Sequence, residues 1–113
     1  MDRVSDVDPQ MLKGILSLLL LSLLAAHDDY GYSLVERLRE GGLGEVAEGT
    51  VYPALSRLER GEWVSTYYVP SDRGPARKYY RLTDAGVAEL RARLGAWRQL
   101  SHVIDRLTKG TQP

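Results

Sequence analysis

The stretch Glu48-Gly-Thr-Val-Tyr-Pro-Ala-Leu-Ser-Arg-Leu-Glu59 constrains the fold more than any other part of the chain. At helical spacing it buries Val51, Leu55 and Leu58 on one side and turns Thr50, Tyr52, Ser56 and Arg57 to the other. Pro53 fits such a helix if it falls within the first turn, where amides lack intrahelical partners. Two runs rich in β-branched and aromatic residues follow, 64–69 and 76–82, separated by the turn-forming Pro70-Ser-Asp-Arg-Gly-Pro75. A short helix with a polar front, then a basic hairpin, is the form of a winged helix-turn-helix. Its helix is shaped for a major groove, and its hairpin lays arginine and lysine along the sugar-phosphate backbone.

The remaining elements follow from periodicity and punctuation. A first helix is expected over Pro9–Ala26, with Pro9 in its opening turn. Asp28 and Asp29 break the apolar run. A second helix opens near Gly31, carries Tyr32, Leu34, Val35 and Leu38 at helical spacing, and is stopped by Gly41-Gly42. Residues 43–47 form a link, the third helix occupies 48–60, and Gly61 ends it. Tyr79 and Tyr80 must point to opposite faces of their strand, one to the core and one outward. Thr83 is placed as the N-cap of a last helix, with Asp84 in its first turn.

That last helix is longer than one winged domain needs. Val87, Leu90, Leu94, Trp97, Ser101 and Ile104 recur at alternating steps of three and four, and Leu100, Val103 and Leu107 widen the stripe. Stripes that outrun their own domain belong to dimers. Ser101 and the small Gly95-Ala96 argue against a plain coiled coil, so the expected partner is the leucine-rich first helix of a second subunit. The interface is placed at Leu12, Ile15, Leu16, Leu19, Leu90, Leu94, Trp97, Ile104 and Leu107. Residues 9–82 are read as the DNA-binding domain and 83–109 as the dimerisation helix. The fold class is α+β and mostly helical: a winged helix-turn-helix with an added N-terminal helix segment and a long C-terminal dimerisation helix.

With 113 residues, one modest core is available. The absence of cysteine excludes disulfides and thiolate metal sites, and His27 and His102 lack paired ligand spacing, so no metal or cofactor is expected. The apolar run 15–26 is shorter than the roughly 20 residues of a membrane span, and Lys13 and Asp28 close in on it. Acidic residues precede it, against a signal peptide, and a cytoplasmic location is expected. Formal net charge is zero, but its distribution is uneven. Segment 1–47 is acidic, with Asp2, Asp6, Asp8, Asp28, Asp29, Glu36, Glu40 and Glu45 against Arg3, Lys13, Arg37 and Arg39. Segment 57–81 reverses this through Arg57, Arg60, Arg73, Arg77, Lys78 and Arg81. Local patches set the field, so an acidic body can carry a basic reading edge.

These residues resemble the PadR family of transcriptional regulators, in its short form with a single extra helix. The resemblance rests on Leu12-Lys13-Gly14, Tyr30-Gly31-Tyr32, Glu48 through Leu55 with Arg57-Leu58-Glu59, and Arg77-Lys-Tyr-Tyr-Arg-Leu-Thr83 with Ala85-Gly86. It spans about residues 12–107. It implies a homodimer that binds a palindromic operator on double-stranded DNA, represses nearby promoters, and is released by a small planar aromatic or drug-like effector. Carried over by position, the DNA-binding residues are Glu48, Gly49, Thr50, Tyr52, Pro53, Ser56, Arg57, Arg73, Arg77 and Lys78, with 73–78 as the wing tip. Trp97, flanked by Leu94 and Leu100, falls where responsive members place an aromatic side chain at the dimer centre. Ala47 and the wing sequence Gly74-Pro75-Ala76-Arg77 depart from the family's usual residues.

Each assignment has a plainer counterpart. Tyr52 can cover core with its ring, Arg57 and Arg60 can be solvated beside Glu59 and Glu62, and Trp97 can anchor an interface without binding a ligand. A winged-helix module that binds protein instead of DNA is the competing function. It requires exposed apolar surface on the third helix. An enzyme is not expected, since no nucleophile, base and acid occur together.

Overall fold

The computed structural model describes residues 8–110, so Asp2, Arg3 and Asp6 of the acidic segment lie outside the described residues. In chain order the elements are α1 (Pro9–Ala26), β1 (Asp29–Tyr30), α2 (Gly31–Leu38), α3 (Glu48–Arg60), β2 (Val64–Val69), β3 (Arg77–Leu82) and α4 (Asp84–Thr108). A wider π-type turn, Arg39–Leu43, closes α2. Gly42 within it takes a φ of 131°, a conformation that side chains strongly disfavour.

Asp8 caps α1 by accepting the Gln10 amide at 2.8 Å, and Pro9 occupies the first helical position. By length and composition α1 passes as a membrane span. Its leucines are instead spent on packing: Leu16, Leu20, Leu21 and Leu24 join Leu34, Val35 and Leu38 of α2 and Val51, Ala54, Leu55 and Leu58 of α3 in one core. This corrects the placement of Leu16 at a subunit interface. Leu16, Leu20 and Leu24 follow an i, i+4 row that faces inward, which leaves Leu16 only 1% exposed and unable to meet a second chain.

β2 and β3 pair antiparallel from Val64 opposite Leu82 to Val69 opposite Arg77. A third strand, β1, pairs with β3 through Asp29 opposite Tyr80 and Tyr30 opposite Tyr79, giving the order β1-β3-β2. Two residues carry no periodicity, so the sequence offered no sign of β1. Tyr80 is the core tyrosine. Tyr79 lies on the outer face between Tyr30 and Tyr67, at ring separations of 5.4 and 5.6 Å.

The aspartates expected only to break α1 organise the sheet edge. Asp29 is buried and fully bonded: it accepts from Arg37 Nη1 at 2.9 Å, Ser33 Oγ at 2.8 Å and the Tyr30 amide at 2.9 Å. Asp28 accepts from the Tyr67 hydroxyl at 2.7 Å and from Arg81 Nε at 3.1 Å. His27 is the C-cap of α1.

Thr83 caps α4 by accepting the Gly86 amide at 3.0 Å. Gly86 is required there, because a Cβ would collide with the Trp63 carbonyl. Leu90 packs against the core, and α4 crosses α1. Farther along, Trp97, Leu100, Ile104 and Leu107 remain 42%, 52%, 46% and 78% exposed.

Candidate nucleic-acid interface

Helix α3 divides as its sequence dictates. Val51, Ala54, Leu55 and Leu58 are fully buried, while Glu48, Gly49, Thr50, Tyr52, Pro53, Ser56, Arg57 and Arg60 are exposed. Ala47 caps the helix without a side-chain bond, so its first turn presents backbone amides. The exposed face is polar apart from Tyr52 and Pro53, which removes the apolar surface that a protein-binding module would need.

Pro53 is not in the first turn. It is the sixth residue of a helix that begins at Glu48. Lacking an N–H, it leaves the Gly49 carbonyl without its intrahelical donor. Gly49 is exposed, so solvent can satisfy that carbonyl and the helix continues.

Tyr52 reconciles its two readings. Its ring lies against Gly31 so closely that a Cβ there would overlap Cε1, yet the side chain is 38% exposed. Burial, and after it the nearby Glu48 carboxylate, push its hydroxyl pKa up, so the group stays a protonated donor. The need for glycine at 31 is thus a consequence of Tyr52.

The wing cations are held differently from one another. Lys78 Nζ donates to Glu59 Oε1 at 2.9 Å, and Thr66 Oγ1 donates to Glu59 Oε2 at 3.2 Å. The hydrogen bond from Lys78 lowers the Glu59 pKa, and the same bond raises that of Lys78. This brace ties the wing to α3. Arg77 has no carboxylate partner among the described residues and rests over the Tyr30 ring at 4.6 Å. Arg73 is exposed in the turn between the strands. Among the described residues, the wing therefore offers Arg73 and Arg77 without a carboxylate partner and Lys78 in competition with Glu59.

A polar helix face beside a hairpin bearing free arginines is the geometry of a DNA reader, and known proteins of this shape agree. The profile of the Transcriptional regulator PadR-like family matches residues 20–92. The chain belongs to the PadR family. A PadR-like transcriptional regulator from Bacillus cereus is 35% identical and superposes with a TM-score of 0.79 over 89% of this chain and 98% of its own. A PadR family regulator from Eggerthella lenta gives 31% identity and a TM-score of 0.81 over 90% and 88%. An uncharacterized protein of Lysinibacillus sphaericus is 31% identical over 94% of this chain and 99% of its own length. Like the family, this PadR protein is a DNA-binding transcriptional regulator with a winged helix-turn-helix, and not an enzyme.

The other assigned positions of this PadR chain separate by exposure. Leu12, Ile15, Leu19, Leu90 and Leu94 are half-buried, and Trp97, Ile104 and Leu107 are exposed. Ile15 and Leu19 line an apolar groove of about 460 Å³ with Leu23, Leu38 and Leu43. Trp97 and Leu100 border a smaller hollow, about 230 Å³, against Gly14, Ile15 and Leu18 of α1. Leu94 does not line it.

Sequence reasoning missed Glu59 as the wing's anchor, Gly31 as the seat of Tyr52, and Asp28 and Asp29 as sheet-edge acceptors. Each is a contact between elements distant in sequence, and only the opposite signs of Glu59 and Lys78 gave any signal.

Proposed function

We propose that this PadR protein is a cytoplasmic homodimeric repressor whose two winged heads read a palindromic operator. The observation that carries this is the clean division of α3, with every buried position apolar and Thr50, Tyr52, Ser56 and Arg57 outward beside Arg73 and Arg77. A two-fold axis coupling the heads sets half-sites one helical turn or a multiple apart, roughly 34–36 Å per turn. The four exposed apolar side chains of α4 supply the dimer contact, with Ile15 and Leu19 of the partner's α1 as the receiving surface. Full burial is worth about 1.5–3 kcal/mol per side chain, enough to offset much of the association cost.

Changing Arg77 and Lys78 together to alanine is expected to weaken specific and random duplex alike, and to flatten the salt dependence by up to about two units. Changing Thr50 or Ser56 acts instead on sequence preference. Fluorescence anisotropy across a salt series separates the two behaviours. A wing pair that altered preference and left the salt slope intact would remove backbone contact from the wing.

A flat aromatic effector at Trp97 is the proposed release signal. It must favour a head spacing that misses the operator, since equal affinity for both arrangements shifts nothing. A coupling of about 1–3 kcal/mol changes operator affinity roughly 5–150-fold. With Trp63 replaced by phenylalanine, planar dyes should quench the remaining tryptophan and release the duplex. Loss of dye binding is expected on Trp97→Ala, and dye binding without release would separate the hollow from the switch.

A further inference from the structure

Between the start of α2, helix α3 and strand β3 lies an open cleft of about 610 Å³. Tyr30, Tyr32, Tyr52 and Tyr80 line it together with Arg77 and Lys78, and no carboxylate does. The charges are unequal in availability. Lys78 is already bonded to Glu59, whereas among the described residues Arg77 meets the Tyr30 ring, over which its guanidinium lies at 4.6 Å, and no carboxylate. The cleft thus presents one uncompensated cation amid phenolic hydroxyls. Tyr32 is 51% exposed and is not one of the buried core residues, so burial does not account for its place at the rim. Tyr52, on the other wall, is i−4 to Ser56 on α3, which makes the cleft continuous with the outward face of that helix.

A monoanion with several acceptor oxygens, approached by neutral donors and one planar cation, matches this lining. We propose that the cleft seats one phosphodiester of the DNA backbone. The hydroxyls of Tyr32 and Tyr52 donate to its non-bridging oxygens, and Arg77 supplies the charge. This deepens the reading of α3 and the wing as the DNA-binding surface and rests on it. Tyr32 then fixes the depth at which α3 enters the groove, and carries no sequence information itself. Gly31 acquires a second consequence: any side chain there would displace Tyr52 and close the cleft.

The test compares Tyr32→Phe, Tyr52→Phe and Arg77→Gln with the wild-type protein on operator and random duplexes over a salt series. Thermal melting is used to verify that each is folded. Each phenylalanine variant should weaken both duplexes by the same factor, about 10-fold for a hydrogen bond to a charged group. It should leave the salt slope unchanged, because no charge is removed. Arg77→Gln should flatten the slope by about one unit. Wild-type affinity in Tyr32→Phe, with a flattened slope in Arg77→Gln, would overturn the cleft assignment while DNA binding by the wing stands. Unchanged binding in all three would overturn both. A Tyr32→Phe effect confined to one duplex would make the contact a base contact and also overturn the proposal. Inorganic phosphate, matched to chloride in ionic strength, should not displace the duplex. Displacement would identify a site for a free anion instead.

Discussion

Replacing Leu100 and Ile104 together by aspartate is expected to convert the protein from a dimer to a monomer at low micromolar concentration. Sedimentation should fall from about twice the chain mass of 12.6 kDa to that mass. Within the subunit both side chains are about half exposed, so the fold itself loses little and a cooperative melt should persist. In the proposed dimer both are covered. Each substitution removes an apolar side chain worth about 1.5–3 kcal/mol on burial and adds a carboxylate whose desolvation is uncompensated. Two per subunit, doubled by the axis, should weaken association by a factor on the order of 10³ or more. Operator affinity should drop with it, because two uncoupled heads lose the effective concentration that the dimer provides. A variant that stayed dimeric would move the interface off this stripe. A wild-type protein sedimenting as a monomer would end the dimer reading altogether.

The stripe also shows why parts of this molecule could be read from sequence and others not. Helix bounds were legible because apolar spacing and punctuation at Pro9, Gly61 and Thr83 are local properties, and α1 and α4 begin, and α3 ends, where these residues place them. The polar face of α3 was legible for the same reason. Orientation about a nearly all-leucine helix was not. With leucines on every side of α1, nothing in the sequence distinguishes Leu16, which is fully buried in the core, from Leu19, which packs half-buried at its edge. Pro53 was misplaced by one turn because its cost depends on whether the Gly49 carbonyl meets solvent, a tertiary fact. The choice between Tyr79 and Tyr80 depended on register with β1, a strand too short to carry a pattern. The wing's charges were correctly located but not their state. The Glu59–Lys78 pairing joins α3 to β3 across nineteen positions of sequence and withdraws one of the two adjacent cations.

Asp29 is the buried polar residue of the core region, and the contrast with its neighbour makes the expected cost of replacing it sharp. Its side chain is 6% exposed and that of Arg37 22%, at a separation of 2.9 Å. Arg37 also donates to the Leu23 carbonyl at 3.1 Å, so this one guanidinium, in the last turn of α2, ties that helix to α1 and to β1. Alanine at 29 strands the Arg37 charge, the Tyr30 amide and the Ser33 hydroxyl in a site from which water is largely excluded. Removing one partner of a fully buried pair costs about 3–5 kcal/mol, and the partial exposure of Arg37 places this case near about 2–3 kcal/mol. For a domain of this size that corresponds to a fall in Tm of roughly 10–20 °C. Asp28 also pairs with an arginine and accepts from a tyrosine hydroxyl, but its own side chain is 31% exposed and that of Arg81 60%. Solvent replaces what alanine removes there, and the loss should stay below about 1 kcal/mol. Melting Asp28→Ala and Asp29→Ala at equal protein concentration checks the difference, and equal shifts would show that burial does not govern this edge. Adding Arg37→Met to Asp29→Ala should recover part of the loss, because the cost lies in the stranded charge and not in the missing carboxylate.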